Sequence, residues 1–345
     1  MQKKIILLDG GMGQELIKNS KSKPHTLWST YVMAEEPELV KKTHIDFIDA
    51  GASVITLNTY STTPERLEAN GLSDKFGFFH KKAIDLAREA IDHTKKNVLI
   101  AGCLPPLVWS YRPDKAPDYE RCVDLYLQIV REQEEDVDLF ICETMASLKE
   151  AKAAVAAAKT SGKPVWCGLT LEDNENCELR SGEKLLDSVI ALQSFGQEEF
   201  LLNCSFPEVI NNGIAILSKN TKFFGGYANG FTSIEPLKTA SNVSVLSART
   251  DLGPEEYSKY ALNWANQGAS VVGGCCEIGP SHIKYLHDIL IEKDFELVTS
   301  LSCNSRSSYC LFPTLIFLIA FVWRDFGRKF LLESPLFFKR FQLII

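Results

Sequence analysis

The stretch Val271-Val272-Gly273-Gly274-Cys275-Cys276-Glu277-Ile278-Gly279-Pro280 passes from a β-branched pair through two glycines and two adjacent cysteines into a helix opened by proline. It has the form of one βα unit: a short apolar strand, a turn, and a helix start whose backbone proline pre-sets. The glycine pair is expected to turn the backbone sharply, so that both sulfurs face the same side. Adjacent cysteines pair poorly with each other in a disulfide, whereas two neighbouring thiolates make a good chelate for a soft metal.

Working outward, the same alternation of apolar strand and helical pattern recurs almost throughout the chain. Strands are expected at Ile5 to Leu8, Ser53 to Leu57, Val98 to Ala101, Leu139 to Cys142, Val165 to Leu169, Phe200 to Leu202, Phe223-Phe224 and Ser270 to Val272. Helical spacing marks Glu36 to Asp49, Lys75 to His93, Tyr119 to Glu134 and the alanine-rich Leu148 to Lys159. Eight such units predict an α/β fold of the (β/α)8 TIM-barrel type over residues 1–293, in which chemistry sits at the C-terminal ends of the strands. A doubly wound sheet is the alternative. It would carry a G-x-G-x-x-G turn after a strand, and Gly10-Gly11-Met12-Gly13 has the wrong spacing.

The 345 residues, 45% of them hydrophobic, are enough for a large core. A net charge of −7 and a pI near 5.5 argue against nucleic acid as partner and favour a small-molecule enzyme. The apolar run after Met1-Gln2-Lys3-Lys4 is too short for a signal-peptide core, so a cytoplasmic chain is expected, with its ten cysteines mostly free thiols. Cys103, Cys122, Cys142, Cys167 and Cys177 are expected to be small core residues.

From about Phe295 the βα pattern stops, and residues 294–345 are assigned to an atypical C-terminal extension. Its apolar run, Leu311 to Trp323, contains Pro313 and falls short of the roughly 20 residues that span a bilayer, so no membrane partner is expected. The oligomeric state is left open.

Asp9, Asn58, Tyr60, Glu143, Cys204, Cys275 and Cys276 all fall at predicted strand ends. Three thiolates, Cys204 with Cys275 and Cys276, would hold Zn2+ and leave a fourth tetrahedral position open; the competing reading is three unrelated core cysteines. Such a site is suited to holding a substrate thiol as thiolate, and points to alkyl transfer onto sulfur rather than hydrolysis. Asp9 and Glu143 suit a substrate ammonium group, or else serve as a turn residue and a helix-cap neighbour. Asn203 and Ser205 flank the first cysteine as further donors or as helix caps. Tyr60, Trp109 and Tyr111 form either an aromatic wall for a cationic donor or ordinary packing. His25 is placed in a loop near the site, and His282 and His287 on the last helix as structural residues.

Asp9-Gly10-Gly11-Met12-Gly13-Gln14-Glu15-Leu16, Asn203-Cys204-Ser205 and Gly273-Gly274-Cys275-Cys276 with Pro280 and Ile283 resemble the homocysteine S-methyltransferase family over roughly residues 1 to 293. The resemblance implies a (β/α)8 barrel, zinc on Cys204, Cys275 and Cys276, and homocysteine-amine contacts from Asp9 and Glu143. It further implies homocysteine and a sulfonium donor, S-methylmethionine or S-adenosylmethionine, as partners. Asn58 and Tyr60, placed at a predicted strand end, are expected as further substrate contacts. Another thiol or selenol acceptor, or a non-catalytic thiol-rich zinc-binding protein, are the alternatives.

Overall fold

The computed structural model describes residues 3–22, 25–240 and 243–299 of the chain. Its strands are β1 (Lys3–Leu7), β2 (Val54–Thr56), β3 (Leu99–Leu104), β4 (Leu139–Met145), β5 (Val165–Leu169), β6 (Glu199–Asn203), β7 (Phe223–Tyr227), β8 (Val271–Val272) and β9 (Phe295–Leu297). The helices are α1 (Met12–Asn19), α2 (Trp28–Glu35), α3 (Pro37–Asp49), α4 (Pro64–Glu68), α5 (Phe76–Thr94), α6 (Tyr119–Gln133), α7 (Leu148–Lys159), α8 (Leu185–Gln193), α9 (Pro207–Asn220), α10 (Pro254–Asn266) and α11 (Pro280–Glu292).

All eight expected strands are present and pair in parallel in the order β2-β3-β4-β5-β6-β7-β8-β1. The ring closes where Leu8 bridges Val54: Ser53 N donates to the Leu7 carbonyl at 2.8 Å and Asp9 N to the Val54 carbonyl at 3.0 Å. This is the (β/α)8 architecture. A sheet covered on both faces needs strands that are apolar on both sides, which is why β5, Val-Trp-Cys-Gly-Leu, is buried at every position.

Local chemistry starts the helices. Prolines stand at the first turn of α3, α4, α9, α10 and α11, where a missing N–H costs nothing. Asp118 and Ser147 cap α6 and α7 by accepting from the backbone N–H three residues on. In α6, Cys122, Leu125, Tyr126, Ile129, Val130 and Gln133 recur at helical spacing as its buried face.

Four strands run past their expected ends: β3 to Leu104, β4 to Met145, β6 to Asn203 and β7 to Tyr227. Gly102, Glu143 and Gly225-Gly226 break the apolar pattern there, but a closed ladder is continued by backbone hydrogen bonds whatever the side chains. Nor does the pattern stop at Phe295, since β9 pairs with Lys3, Lys4 and Ile5 of β1. The run Leu311 to Trp323 and the rest of the expected extension from 300 onward lie outside the described residues. Among the described residues no helix is long and apolar enough to cross a membrane.

Candidate active site and metal centre

The C-terminal ends of the strands surround a cavity of about 380 Å³. Cys204, one residue beyond β6, meets Cys275 and Cys276 beyond β8. Their sulfurs lie within 4.8 Å of one another, with Cys204 Sγ 2.6 Å from Cys275 Sγ and 4.0 Å from Cys276 Sγ. Among the described residues no fourth Cys, His, Asp or Glu joins this group, so one side is left to the cavity that all three cysteines line. Three converging sulfurs with an open side form a soft-metal donor set.

Backbone geometry enforces the convergence. Cys204 has φ 52°, a left-handed conformation that costs a non-glycine residue about 1–2 kcal/mol. Its carbonyl accepts from Thr170 Oγ1 at 3.2 Å and Arg180 Nη2 at 3.4 Å, which hold it there. Tyr257 on α10 accepts from Ala228 N at 3.1 Å and donates to the Gly273 carbonyl at 2.5 Å, tying β7 to the cysteine loop. The glycine pair works differently from the expected turn. Neither Gly273 nor Gly274 has positive φ, and a Cβ on Gly273 would sit 2.5 Å from Leu8 Cβ. Gly273 is needed for close approach to Leu8, just after β1, and Gly274 for close approach to Ile278, whose Cβ a methyl there would meet at 2.6 Å.

Tyr111 donates its hydroxyl to Cys204 Sγ at 3.2 Å, and the Arg180 guanidinium lies 4.8 Å from the centre of the Tyr111 ring. The Cys204 thiol is held well below its ordinary range by hydrogen bonds from Cys275 and Cys276, with further help from Tyr111 and Arg180.

Asp9 and Glu143 line the same cavity. Burial, together with the charge of Glu143, pushes Asp9 up to about 8, although Thr56 donates to it from N at 2.8 Å and from Oγ1 at 3.3 Å. Burial likewise pushes Glu143 up to about 7. Glu143 sits at an irregularity of β4 where the next residue, Thr144, has φ 59°. Asn203 stabilises that bend, accepting from Thr144 N at 3.0 Å and donating to Thr144 Oγ1 at 2.9 Å. Asn203 therefore serves Glu143 rather than the cysteine beside it. Ser205 accepts from Leu171 N at 2.8 Å and caps no helix.

Asn58 lines the cavity and donates to the Ser29 carbonyl at 3.2 Å. Tyr60, Trp109 and Tyr111 all line it, with the Tyr60 hydroxyl 2.8 Å from Ser110 Oγ and Trp28 packed edge-on at 5.8 Å. His25 stacks on Tyr31 and is not among the lining residues. His282 touches the Leu252 carbonyl and packs edge-on against Tyr257, and His287 pairs with Asp288.

Cys103 is buried as expected, and it makes a contact that was not expected: its thiol lies 2.8 Å from Glu143 Oε1 as hydrogen-bond donor. Its place at the end of β3 was the available signal, the same one that marks the other site residues. Arg180, Thr56 and Tyr257 carried no comparable mark.

The family model described as homocysteine S-methyltransferase matches residues 6–290. The chain is 28% identical to the homocysteine S-methyltransferase of Escherichia coli K12, covering 82% of this chain and 94% of that one. It is 27% identical to homocysteine S-methyltransferase YbgG of Bacillus subtilis 168 (81% and 92%) and 26% to the selenocysteine methyltransferase of Astragalus bisulcatus (82% and 92%). The crystal structure of the metallated form of the homocysteine methyltransferase MmuM from Escherichia coli superposes with a TM-score of 0.69 at 26% identity, covering 83% of this chain and 96% of that one.

Proposed function

The chain belongs to the homocysteine S-methyltransferase family, and from that premise we propose that it moves a methyl group from a sulfonium donor, S-methylmethionine first, to the thiol of homocysteine, with zinc held by Cys204, Cys275 and Cys276. The observation that carries this reading is the convergence of three sulfurs on the cavity that Asp9 and Glu143 also line. Two sulfurs bound to one tetrahedral zinc through bonds of about 2.3 Å stand roughly 3.8 Å apart. The Cys204–Cys276 pair at 4.0 Å matches that edge, and the Cys204–Cys275 pair at 2.6 Å is tighter. When bound, zinc supplies a Lewis acid that keeps a substrate sulfur ionised at neutral pH. The chemistry is assigned to the barrel over residues 1–293.

Asp9 and Glu143 hold the homocysteine ammonium, which orients its sulfur toward the cysteines. Tyr60, Trp109 and Tyr111 present aromatic faces to the donor cation. The thiol proton goes to solvent, the sulfur lone pair forms a bond to the methyl carbon, and the electron pair of the breaking S–C bond stays on the leaving thioether. Opposite charges disappear in this step, so an aromatic, poorly solvated cavity favours it. The leaving thioether is neutral and takes no proton, so no general acid is required.

The test is methionine formation from homocysteine with S-methylmethionine, S-adenosylmethionine in parallel, before and after chelation. Turnover that vanishes with the metal and returns on adding zinc is expected, and turnover indifferent to chelation would overturn the zinc assignment. Because one relative is named a selenocysteine methyltransferase, selenocysteine is the acceptor to run in competition.

The two carboxylates set a pH dependence. With Asp9 raised to about 8 and Glu143 to about 7, both are increasingly neutral as pH falls, and a neutral carboxyl cannot pair with an ammonium. The KM for homocysteine should therefore rise as pH drops from 8 to 6, approaching about tenfold per pH unit for each proton at the acid end. The acceptor 4-mercaptobutanoate has the thiol but no ammonium. It should show only the shallower rise that comes from losing its thiol proton, and the same slope for both acceptors would remove the carboxylates from the amine site.

A further inference from the structure

Beyond the groups used above, the cavity wall carries two adjacent charged residues with unmet hydrogen-bonding capacity. Thr63 caps α4 by accepting from Arg66 N at 3.3 Å, and Glu65 and Arg66 on this helix both line the cavity. The Arg66 guanidinium lies 5.5 Å from the centre of the Tyr60 ring. Its Nη2 donates to the Pro106 carbonyl at 3.1 Å, but its Nε is buried and has no partner among the described residues. Glu65 Oε1 accepts from Arg121 Nη2 at 3.2 Å, whereas Glu65 Oε2 is buried and equally without a partner.

The neutral polar groups beside them are engaged. Asn70 Nδ2 donates to the Arg66 carbonyl at 2.7 Å and Thr26 Oγ1 to Asn70 Oδ1 at 2.5 Å. A buried donor or acceptor left unpaired is costly, and more so when it belongs to a charged group. Here one donor of a cation and one acceptor of a carboxylate are unpaired on two side chains that line a single substrate cavity. That pairing complements a ligand with both an anionic and a cationic group a few bonds apart. Homocysteine alone does not use it fully, because its ammonium is already assigned to Asp9 and Glu143.

We propose that Glu65 and Arg66 form a subsite for the α-amino-acid head of the methyl donor, with its carboxylate on Arg66 and its ammonium on Glu65. The subsite selects zwitterionic amino-acid sulfonium compounds over simple sulfonium or betaine-like donors. This rests on the reading that the donor is a sulfonium compound and adds which part of it the protein recognises.

The experiment uses the zinc-loaded full chain and three donors: S-methylmethionine, its carboxamide, which lacks the carboxylate, and 4-(dimethylsulfonio)butanoate, which lacks only the ammonium. Arg66→Gln and Glu65→Gln should each raise the KM for S-methylmethionine by about tenfold or more, as expected for a lost charge-assisted hydrogen bond, with the homocysteine KM unmoved. The arginine variant should lose its disadvantage against wild type with the carboxamide, and the glutamate variant with 4-(dimethylsulfonio)butanoate. Equal losses with all three donors, or a rise in the homocysteine KM instead, would overturn the subsite.

Equilibrium binding of the three donors to the wild-type protein needs neither variant nor turnover. S-methylmethionine should bind at least about tenfold more tightly than either truncated donor. If no donor supports methyl transfer, the functional reading fails. The subsite fails separately if the three bind alike.

Discussion

Replacing Cys275 with alanine should strip the protein of zinc and take methyl transfer below detection. Thiolate-containing zinc sites bind their metal with about 10–16 kcal/mol, so one ligand of three carries about 3–5 kcal/mol, or on the order of 10²–10⁴ in affinity. The remaining pair, Cys204 and Cys276, would leave two open positions rather than one. The fold should survive, because Cys275 is only half-buried and packs in a small cluster with Tyr111, Phe231 and Ile234, apart from the main core. Cys204→Ala and Cys276→Ala should behave alike. Tyr111→Phe removes the hydroxyl that donates to Cys204 and leaves all three sulfurs, so its effect should be a weakening of metal affinity by about 10–100-fold. Metal competition against a chromogenic chelator, run beside methionine formation, reads both quantities. A Cys275→Ala protein that kept full zinc and full turnover would show that the cysteine trio is not the metal centre.

What the chain reveals about itself divides along the range of the interactions. The strands are local: β-branched and apolar runs bounded by polar or glycine residues announce them, and from the strands the barrel and its reactive end follow. Asp9, Cys204, Cys275 and Cys276 were legible because each stands just beyond such a run. The interactions that tune them join distant parts of the chain. Tyr111 and Cys204 are 93 residues apart, Asn203 and Thr144 are 59 apart, and Cys103 and Glu143 are 40 apart. No periodicity encodes such pairs. Backbone conformations are equally silent, since nothing in the letters Asn203-Cys204-Ser205 marks Cys204 as left-handed, or Thr144 as the bend that presents Glu143. The glycines misled in an instructive way. Glycine can serve a turn or a close approach, and a sequence alone does not separate the two. In the cysteine loop it is close approach that matters, and the same holds for the glycines after Asp9.

Gly11→Ala is accordingly expected to disable the enzyme although it replaces neither a substrate contact nor a cysteine. Gly11 has φ −72°, so no left-handed backbone stands in the way of alanine, and the main effect must come from space. That space is absent. A Cβ there would lie 2.5 Å from the Cys275 carbonyl oxygen and 2.9 Å from Cys276 Cα, both backbone atoms that cannot swing aside as a side chain would. The two segments are also tied together, with Gly274 N donating to the Asp9 carbonyl at 3.0 Å and Gly11 N to the Ile278 carbonyl at 2.9 Å. The added methyl must therefore push the cysteine loop away from Asp9, at an overpacking cost of about 1–3 kcal/mol in stability. A misplacement of about 1 Å between reacting groups costs on the order of 10²-fold in rate, so kcat/KM should fall by about that much, with metal affinity falling alongside. Gly253→Ala is the matched control: it stands at the start of α10, and a Cβ there meets nothing within 4 Å. If Gly11→Ala held zinc as tightly and turned over as fast as Gly253→Ala, the contact between the Asp9 turn and the cysteine loop would have no part in the chemistry.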